Sequence, residues 1–277
     1  MQTKSGKAIH PIGIGTWLIG GGYESKAGAP YNGAHPAPEK DAAGIEAVRY
    51  SLSKGQNHLD CAEMYGAFHT DEVIGQAIKG SPREDLFIAD KLWRTSLAKG
   101  LVRPTVEKML EKLGTDYLDL LYIHYPFEDG PWQEAISQID ELIDEGIVRH
   151  LGVSNFTEDQ MQEAAAIARH PIAANQMNYN VLYKVEVDQA FLDYCKQHSI
   201  ELIAYQPVKR QEVLQNETIR SIAQAHGATP AQVALAWLLA KNTLPIPKAT
   251  QKSHIDENVA AAELKLADEE ISTLDRL

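Results

Sequence analysis

Leu118-Asp119-Leu120-Leu121-Tyr122-Ile123-His124 is the stretch that decides the fold. Side chains alternate between the two faces of a strand, and here both faces receive apolar residues. A strand of that kind is buried on both sides, as strands of a parallel sheet covered by helices are. The run closes on a polar residue, His124. Working outward, comparable runs occur at Ile12–Thr16, His58–Asp60, Leu86–Lys91, Val148–Ser154, Ile172–Gln176, Ile200–Tyr205 and Leu244–Pro247. Most of their ends lie roughly 30 residues apart, the length of one strand–helix unit.

Amphipathic helical patterns fill the intervals. Lys40–Ser53 sets Ala43, Ile45, Val48 and Leu52 near one face, and Pro131–Glu145 does the same with Ile136, Ile139, Leu142 and Ile143. Pro230–Ala240 begins with proline behind Thr229, a good start for a helix. Eight such units predict an α/β fold of the (β/α)8 TIM-barrel type, one domain over residues 1–277. Two helical patterns, Glu217–His226 and Pro230–Ala240, share the last interval. One is therefore an extra helix between strand 7 and helix 7, and DEEISTLDRL predicts another at the C-terminus. Gly20–Pro38 reads as an irregular insertion after the first strand, and Gln206–Gln215 as a short loop after the seventh. The rival is an open doubly wound sheet. It is disfavoured because Gly13-Ile14-Gly15 runs into Thr16-Trp17-Leu18, which breaks the GxGxxG nucleotide fingerprint.

Composition narrows the function. The chain has 277 residues, 44% hydrophobic and 23% charged, enough apolar material for a large core. A net charge of −12 argues against nucleic acid and anionic membrane as partners. The two cysteines, Cys61 and Cys195, form no zinc-type spacing and suit a reducing compartment, so no metal and a cytoplasmic location are expected. MQTKSGKAIH lacks the apolar stretch of a signal peptide, and no run approaches the roughly 20 residues that span a bilayer.

In such a barrel the chemistry sits at the C-terminal strand ends. Those ends carry Asp60, with Tyr65 in the next loop, then Lys91, His124, Ser154, Asn155, Gln176, Tyr205 and Lys248. Singly, each has an ordinary role: Asp60 as a turn cap, Lys91 snorkelling from the rim, His124 as a hydrogen-bonded core histidine. Together they are unusual. Asp60 and Lys91 end neighbouring strands and can pair. A lysine beside a phenol lowers the phenol's pKa, making Tyr65 a candidate general acid, with His124 binding the same substrate oxygen. The group protonated would be an oxygen that gains negative charge, such as a carbonyl receiving hydride.

The same residues carry a resemblance to the aldo-keto reductase family along nearly the whole chain. Gly13–Trp17 resembles the family's first strand, and LDCAEMYG (Leu59–Gly66) its LDTAxxYG. DKLW (Asp90–Trp93) resembles TKLW, and LDLLYIHYP (Leu118–Pro126) the strand ending in HWP. DEGIVRHLGVSNF (Asp144–Phe156) is close to GKIRxIGVSNF, and NQMNYN (Asn175–Asn180) resembles NQxxYH. IPKAT followed by HIDEN (Ile246–Asn258) resembles the segment that clamps the cofactor.

The resemblance implies a catalytic set of Asp60, Tyr65, Lys91 and His124, with Lys91, held by Asp60, depressing the pKa of Tyr65. It implies NADP(H), with NAD(H) as the alternative, bound without a Rossmann fold. Ser154, Asn155 and Gln176 match the positions that bind the nicotinamide carboxamide, Tyr205 the aromatic stacked on that ring, and Thr16 and Trp17 positions beside it. Lys248 matches the lysine that favours a 2′-phosphate, with Thr250 adding a hydroxyl; Glu257 and Asn258 match the adenine side. His254 stands where relatives often have arginine, a weaker grip on phosphate. Trp17, Trp93 and Tyr125 are expected to line the substrate pocket with Phe127, Tyr125 replacing the family's tryptophan. The chain stops at Leu277 behind a helix-like end, from which an open site is expected. The implied activity is reduction of aldehydes and ketones to alcohols, and the reverse, by a monomer. A nicotinamide-binding regulatory subunit with little turnover is the alternative, disfavoured by the intact four residues. An unrelated lyase or isomerase barrel would need a phosphate loop or acidic metal cluster, and the sequence displays neither.

Overall fold

The computed structural model describes residues 1–25, 30–128, 131–208 and 210–277. Eight parallel strands form one sheet in chain order. They are β1 (Ile14–Gly15), β2 (His58–Asp60), β3 (Phe87–Leu92), β4 (Leu120–Ile123), β5 (Leu151–Ser154), β6 (Ile172–Asn178), β7 (Glu201–Tyr205) and β8 (Thr243–Pro245). The sheet curls until its edges meet: Gly13 N–H donates to Pro245 O at 2.9 Å and Gly15 N–H to Pro247 O at 3.1 Å. The barrel is therefore closed, and no open edge of a doubly wound sheet is left between β1 and β8.

Closure explains the two glycines that had no partner in a nucleotide fingerprint. A Cβ on Gly15 would stand 2.5 Å from the Ile246 carbonyl oxygen, and one on Gly13 2.8 Å from Ile246 Cγ2. Only glycine lets the first strand approach the last this closely.

The helices are α1 (Asp41–Ser53), α2 (His69–Ile78), α3 (Val102–Leu113), α4 (Trp132–Asp144), α5 (Glu158–Ile167), α6 (Gln189–Gln197), α7 (Arg210–Gln215), α8 (Glu217–His226), α9 (Pro230–Ala240), α10 (Lys252–Ala260) and α11 (Asp268–Asp275). The extra helix before α9 and the one at the C-terminus both appear. The connection after β7 holds more order than the expected loop, because residues 210–215 wind into α7. Lys209, within that loop reading, lies outside the described residues. The insertion after β1 is likewise more regular than expected: Gly21–Tyr23 pairs antiparallel with Ala34–Pro36. Its residues 26–29 lie outside the described ones.

The core has two layers. Phe87, Ala89, Leu120, Tyr122, Ala174, Ile203, Leu244 and Ile246 fill the barrel interior. Alternate residues of the same strands face outward, where Leu121, Ile123, Leu202 and Ala204 pack against the helices. Every residue of β4 is buried, which is why its sequence shows no polar alternation.

Candidate active site

The C-terminal mouth of the barrel is built from strand ends and the loops that follow. Asp60 pairs in register with Ala89, so Lys91, two residues on, shares the interior face with Asp60. Lys91 is fully buried, and its ammonium donates to both Asp60 oxygens at 2.8 Å and to Cys61 O at 2.6 Å. Three N–H groups thus have three close acceptors. Gln176 Nε2 also donates to Asp60 Oδ1, at 2.7 Å. The Tyr65 hydroxyl lies 3.5 Å from Lys91 Nζ, the outer limit of a hydrogen bond. Tyr65 is placed by a one-turn 3₁₀ helix, Tyr65–Phe68, in which Ala67 (φ 54°) and Phe68 (φ 72°) hold left-handed backbone. Non-glycine residues rarely adopt that conformation, and it persists where surrounding contacts enforce it.

The electrostatics correct one expectation. The Tyr65 phenol lies well above its ordinary pKa, because burial disfavours the phenolate and the Asp60 carboxylate repels it. Tyr65 is half-buried as a residue. Lys91 does not offset this rise, since that ammonium is already paired with Asp60 and lies nearer to the carboxylate than to the phenol. His124 is held well below the usual imidazole range by burial and by Lys91, so it is neutral. Its Nδ1 is buried without a partner among the described residues. The His124 and Tyr65 rings meet edge-on with centroids 6.1 Å apart. Asp60, Tyr65, Lys91 and His124 therefore converge on one point of the mouth.

Aromatic side chains wall this point. Trp17 meets Tyr65 edge-on at 4.9 Å between centroids, Trp93 meets His124 at 5.2 Å, and Tyr125 stacks on His124 at 5.2 Å. Phe127 packs on Trp93 at 5.0 Å. Sequence reading missed the contribution of the insertion after β1: Tyr31 and Ala34 join this cluster, and Tyr23 packs on Trp17 at 5.5 Å. It missed Glu63 as well. This buried acid accepts from Trp93 N–H and Ser96 Oγ, each at 2.7 Å, and from the Tyr31 hydroxyl, fixing the wall. The EM of LDCAEMYG carried no periodic signal that distinguishes a clamp from a solvated loop acid.

The residues matched to a nicotinamide cofactor group at the ends of β5, β6 and β7. Ser154 Oγ donates to Gln176 O at 2.9 Å. Asn155 Nδ2 donates to His124 O at 3.1 Å and Ser154 Oγ at 3.0 Å, while its Oδ1 accepts from the Tyr205 hydroxyl at 2.8 Å. A carboxamide fits this set chemically, since Asn155 Oδ1 and Tyr205 can exchange each other for it. Thr16 is different. It is fully buried and its hydroxyl donates to Asp60 O at 2.7 Å, so it braces β2 and presents no hydroxyl to a ligand. Lys248, Thr250 and His254 are exposed beyond β8 and at the start of α10; Glu257 is half-buried and Asn258 buried on the same helix. A pocket of about 500 Å³ opens beside Tyr125, Phe127, Asn155 and Tyr205 and continues to Asn178 and Glu186. Among the described residues no helix is long and apolar enough to cross a membrane.

Residues 11–277 match the aldo/keto reductase family model. The chain is 34% identical over 232 residues to methylglyoxal reductase DkgB of Escherichia coli O157:H7, covering 82% of this chain and 85% of that one. It is 31% identical over 291 residues to pyridoxine 4-dehydrogenase of Escherichia coli K12, covering 99% and 96%. Among solved structures, the thermostable aldo-keto reductase Tm1743 with the inhibitor epalrestat superimposes with a TM-score of 0.89 at 37% identity, covering 100% and 98%. An aldo/keto reductase from Klebsiella pneumoniae with NADP and acetate gives 0.83 at 32%, covering 99% and 93%. A closed barrel, four converging polar residues at its mouth and a family match over almost its whole length place this chain in the aldo/keto reductase family, as an NAD(P)H-dependent oxidoreductase.

Proposed function

We propose that the protein reduces aldehydes and ketones to alcohols, and runs the reverse oxidation, with NADP(H) as its preferred cofactor and Tyr65 as the general acid. The observation that carries this reading is the convergence of the Tyr65 hydroxyl, the neutral His124 and the Lys91–Asp60 pair on one point. Ser154, Asn155, Gln176 and Tyr205 would hold the nicotinamide, which would supply the hydride when bound. The substrate carbonyl oxygen lies between Tyr65 and His124. The neutral imidazole orients that oxygen by a hydrogen bond, and Tyr65 gives it a proton as negative charge develops. The raised phenol pKa keeps Tyr65 protonated until that moment. Lys91 then stabilises the phenolate that remains, at a distance of 3.5 Å. Trp17, Trp93 and Tyr125 exclude water from the reacting oxygen.

NADP(H) preference is supported by Lys248, whose exposed ammonium suits a 2′-phosphate, and by the Klebsiella relative crystallised with NADP. His254 and Thr250 assist at the phosphate, and Glu257 and Asn258 on the adenine side. Two buried free cysteines agree with a cytoplasmic location, and a single barrel acting as a monomer completes the reading.

The test is NADPH oxidation followed by absorbance against a panel of aldehydes and ketones. Tyr65→Phe is expected to lower kcat by about 10²–10⁴, the span for losing a general acid. Near-normal reduction in that variant overturns the mechanism.

A further inference from the structure

Glu63 holds the turn that carries Tyr65 with its main chain and the turn that carries Trp93 with its side chain. It is 0% exposed, in the loop that leaves β2. Glu63 N–H donates to Lys91 O at 3.1 Å, which keeps this loop beside β3. Glu63 O accepts the Phe68 N–H at 3.0 Å, a bond that spans the Tyr65–Phe68 turn, and within that span Tyr65 N–H donates to Ala62 O at 2.8 Å. The left-handed backbone of Ala67 and Phe68 thus has a bond to Glu63 holding it closed.

The carboxylate serves the aromatic wall. Oε2 accepts the Trp93 N–H and Oε1 the Ser96 hydroxyl, each at 2.7 Å. These are the two ends of the turn after β3, which Ser96 N–H closes on Trp93 O at 2.9 Å. One carboxylate therefore spans the turn from which the Trp93 ring reaches His124. The Tyr31 hydroxyl donates to the same group and brings the insertion after β1 onto the wall. All these partners are donors, and a carboxylate is the side chain that only accepts. An amide of the same size would turn an N–H toward one of them. Burial pushes the Glu63 carboxyl above its ordinary range, and these hydrogen bonds and the Lys108 charge oppose that rise. A buried charge is costly unless its hydrogen bonds are made, so the carboxylate and its donors depend on one another.

We propose that Glu63 is a positioning residue that sets the gap between Tyr65 and Trp93, and with it the discrimination between flat aromatic aldehydes and small aliphatic ones. An aromatic aldehyde whose oxygen lies between Tyr65 and His124 has its ring against Trp93 and Tyr125, so its binding depends on where the Trp93 ring stands. A short aliphatic aldehyde reaches the same oxygen position with little of that contact. A loosened Trp93 turn therefore costs the aromatic substrate more. The turnover half of the proposal rests on the proposed reductase reading; the placing of Trp93 does not.

The test compares benzaldehyde with propanal on the full chain. Glu63→Gln is expected to lower kcat/KM for benzaldehyde relative to propanal by about 2- to 10-fold, the range of one aromatic contact, chiefly through KM. Ser96→Ala removes one bond and keeps the carboxylate, so it is expected to move the ratio the same way by less. Tyr31→Phe added to Glu63→Gln is expected to change the ratio little further, because the Tyr31 hydroxyl acts through Glu63. The ratio does not depend on how much enzyme is folded, and a merely structural role lowers both substrates together. An unmoved ratio in Glu63→Gln, or in Ser96→Ala where Glu63→Gln fails to fold, overturns the proposal. Quenching of tryptophan emission by benzaldehyde gives its dissociation constant without turnover, and that constant is expected to rise by a similar factor in the same variants. No reductase activity with a raised constant overturns the reaction and upholds the placing of Trp93. No activity with an unchanged constant overturns both.

Discussion

Lys248→Ala removes a point charge from an exposed side chain beyond β8 and leaves the mouth of the barrel untouched. We expect KM for NADPH to rise with kcat little changed, and the preference for NADPH over NADH to shrink. Steady-state kinetics with both cofactors checks this, and an unchanged ratio removes Lys248 from the phosphate site. Residue identities were the most legible layer. Asp60, Lys91 and His124 could be marked because each ends a strand, and strand ends define the mouth. What one residue does to another was less legible. The sequence suggested that Lys91 lowers the Tyr65 pKa, yet the structure sets it above the usual phenol range. That sign depends on the burial of the phenol and on the Asp60 carboxylate near it, which no spacing along the chain records. Thr16 shows the same limit: its position beside β2, with its hydroxyl on Asp60 O, turned a ligand candidate into a brace.

Among elements, boundaries with a local chemical cause were readable. Thr229 and Gln232 cap α9 reciprocally: Thr229 Oγ1 accepts from Gln232 N–H at 3.3 Å, and Gln232 Oε1 from Thr229 N–H at 2.8 Å. Thr229→Ala is expected to cost about 1 kcal/mol, read as a fall in the denaturation midpoint. Gly15→Ala is expected to cost more, about 1–3 kcal/mol, because its Cβ would meet backbone rather than a movable side chain. If the two variants prove equally stable, the tight closure between β1 and β8 is not a constraint on this barrel. Elements held by distant partners were harder to read. The Gly21–Tyr23 and Ala34–Pro36 pair is too short and polar to show alternation, and its order comes from packing around Tyr31, Trp17 and Phe68. α7 is six residues long, too short for a repeating apolar face to announce it.

Across the whole molecule, one buried acid ties four parts of the chain together. Asp119, fully buried just before β4, binds Arg83 at 2.8 Å and Arg149 at 2.8 Å and accepts the Ile88 N–H at 3.0 Å. Asp119→Ala leaves two guanidinium groups without their shared anion, and a loss of about 3–5 kcal/mol is expected in urea denaturation. A loss within about 0.5 kcal/mol would show that the arginines find water instead. Asp119 is the one polar residue inside the apolar run LDLLYI, so its place was visible while its partners were not. The sequence by itself determined the number of strand–helix units, their parallel order and the residues at the strand ends. It could do so because burial on both faces, helix periodicity and caps are local properties of the chain. The tertiary structure alone decided closure through Gly13 and Gly15, the aromatic wall lent by the insertion and the sign of the Tyr65 shift. Those depend on distances between segments far apart in the chain, and on the low dielectric that only a packed interior creates.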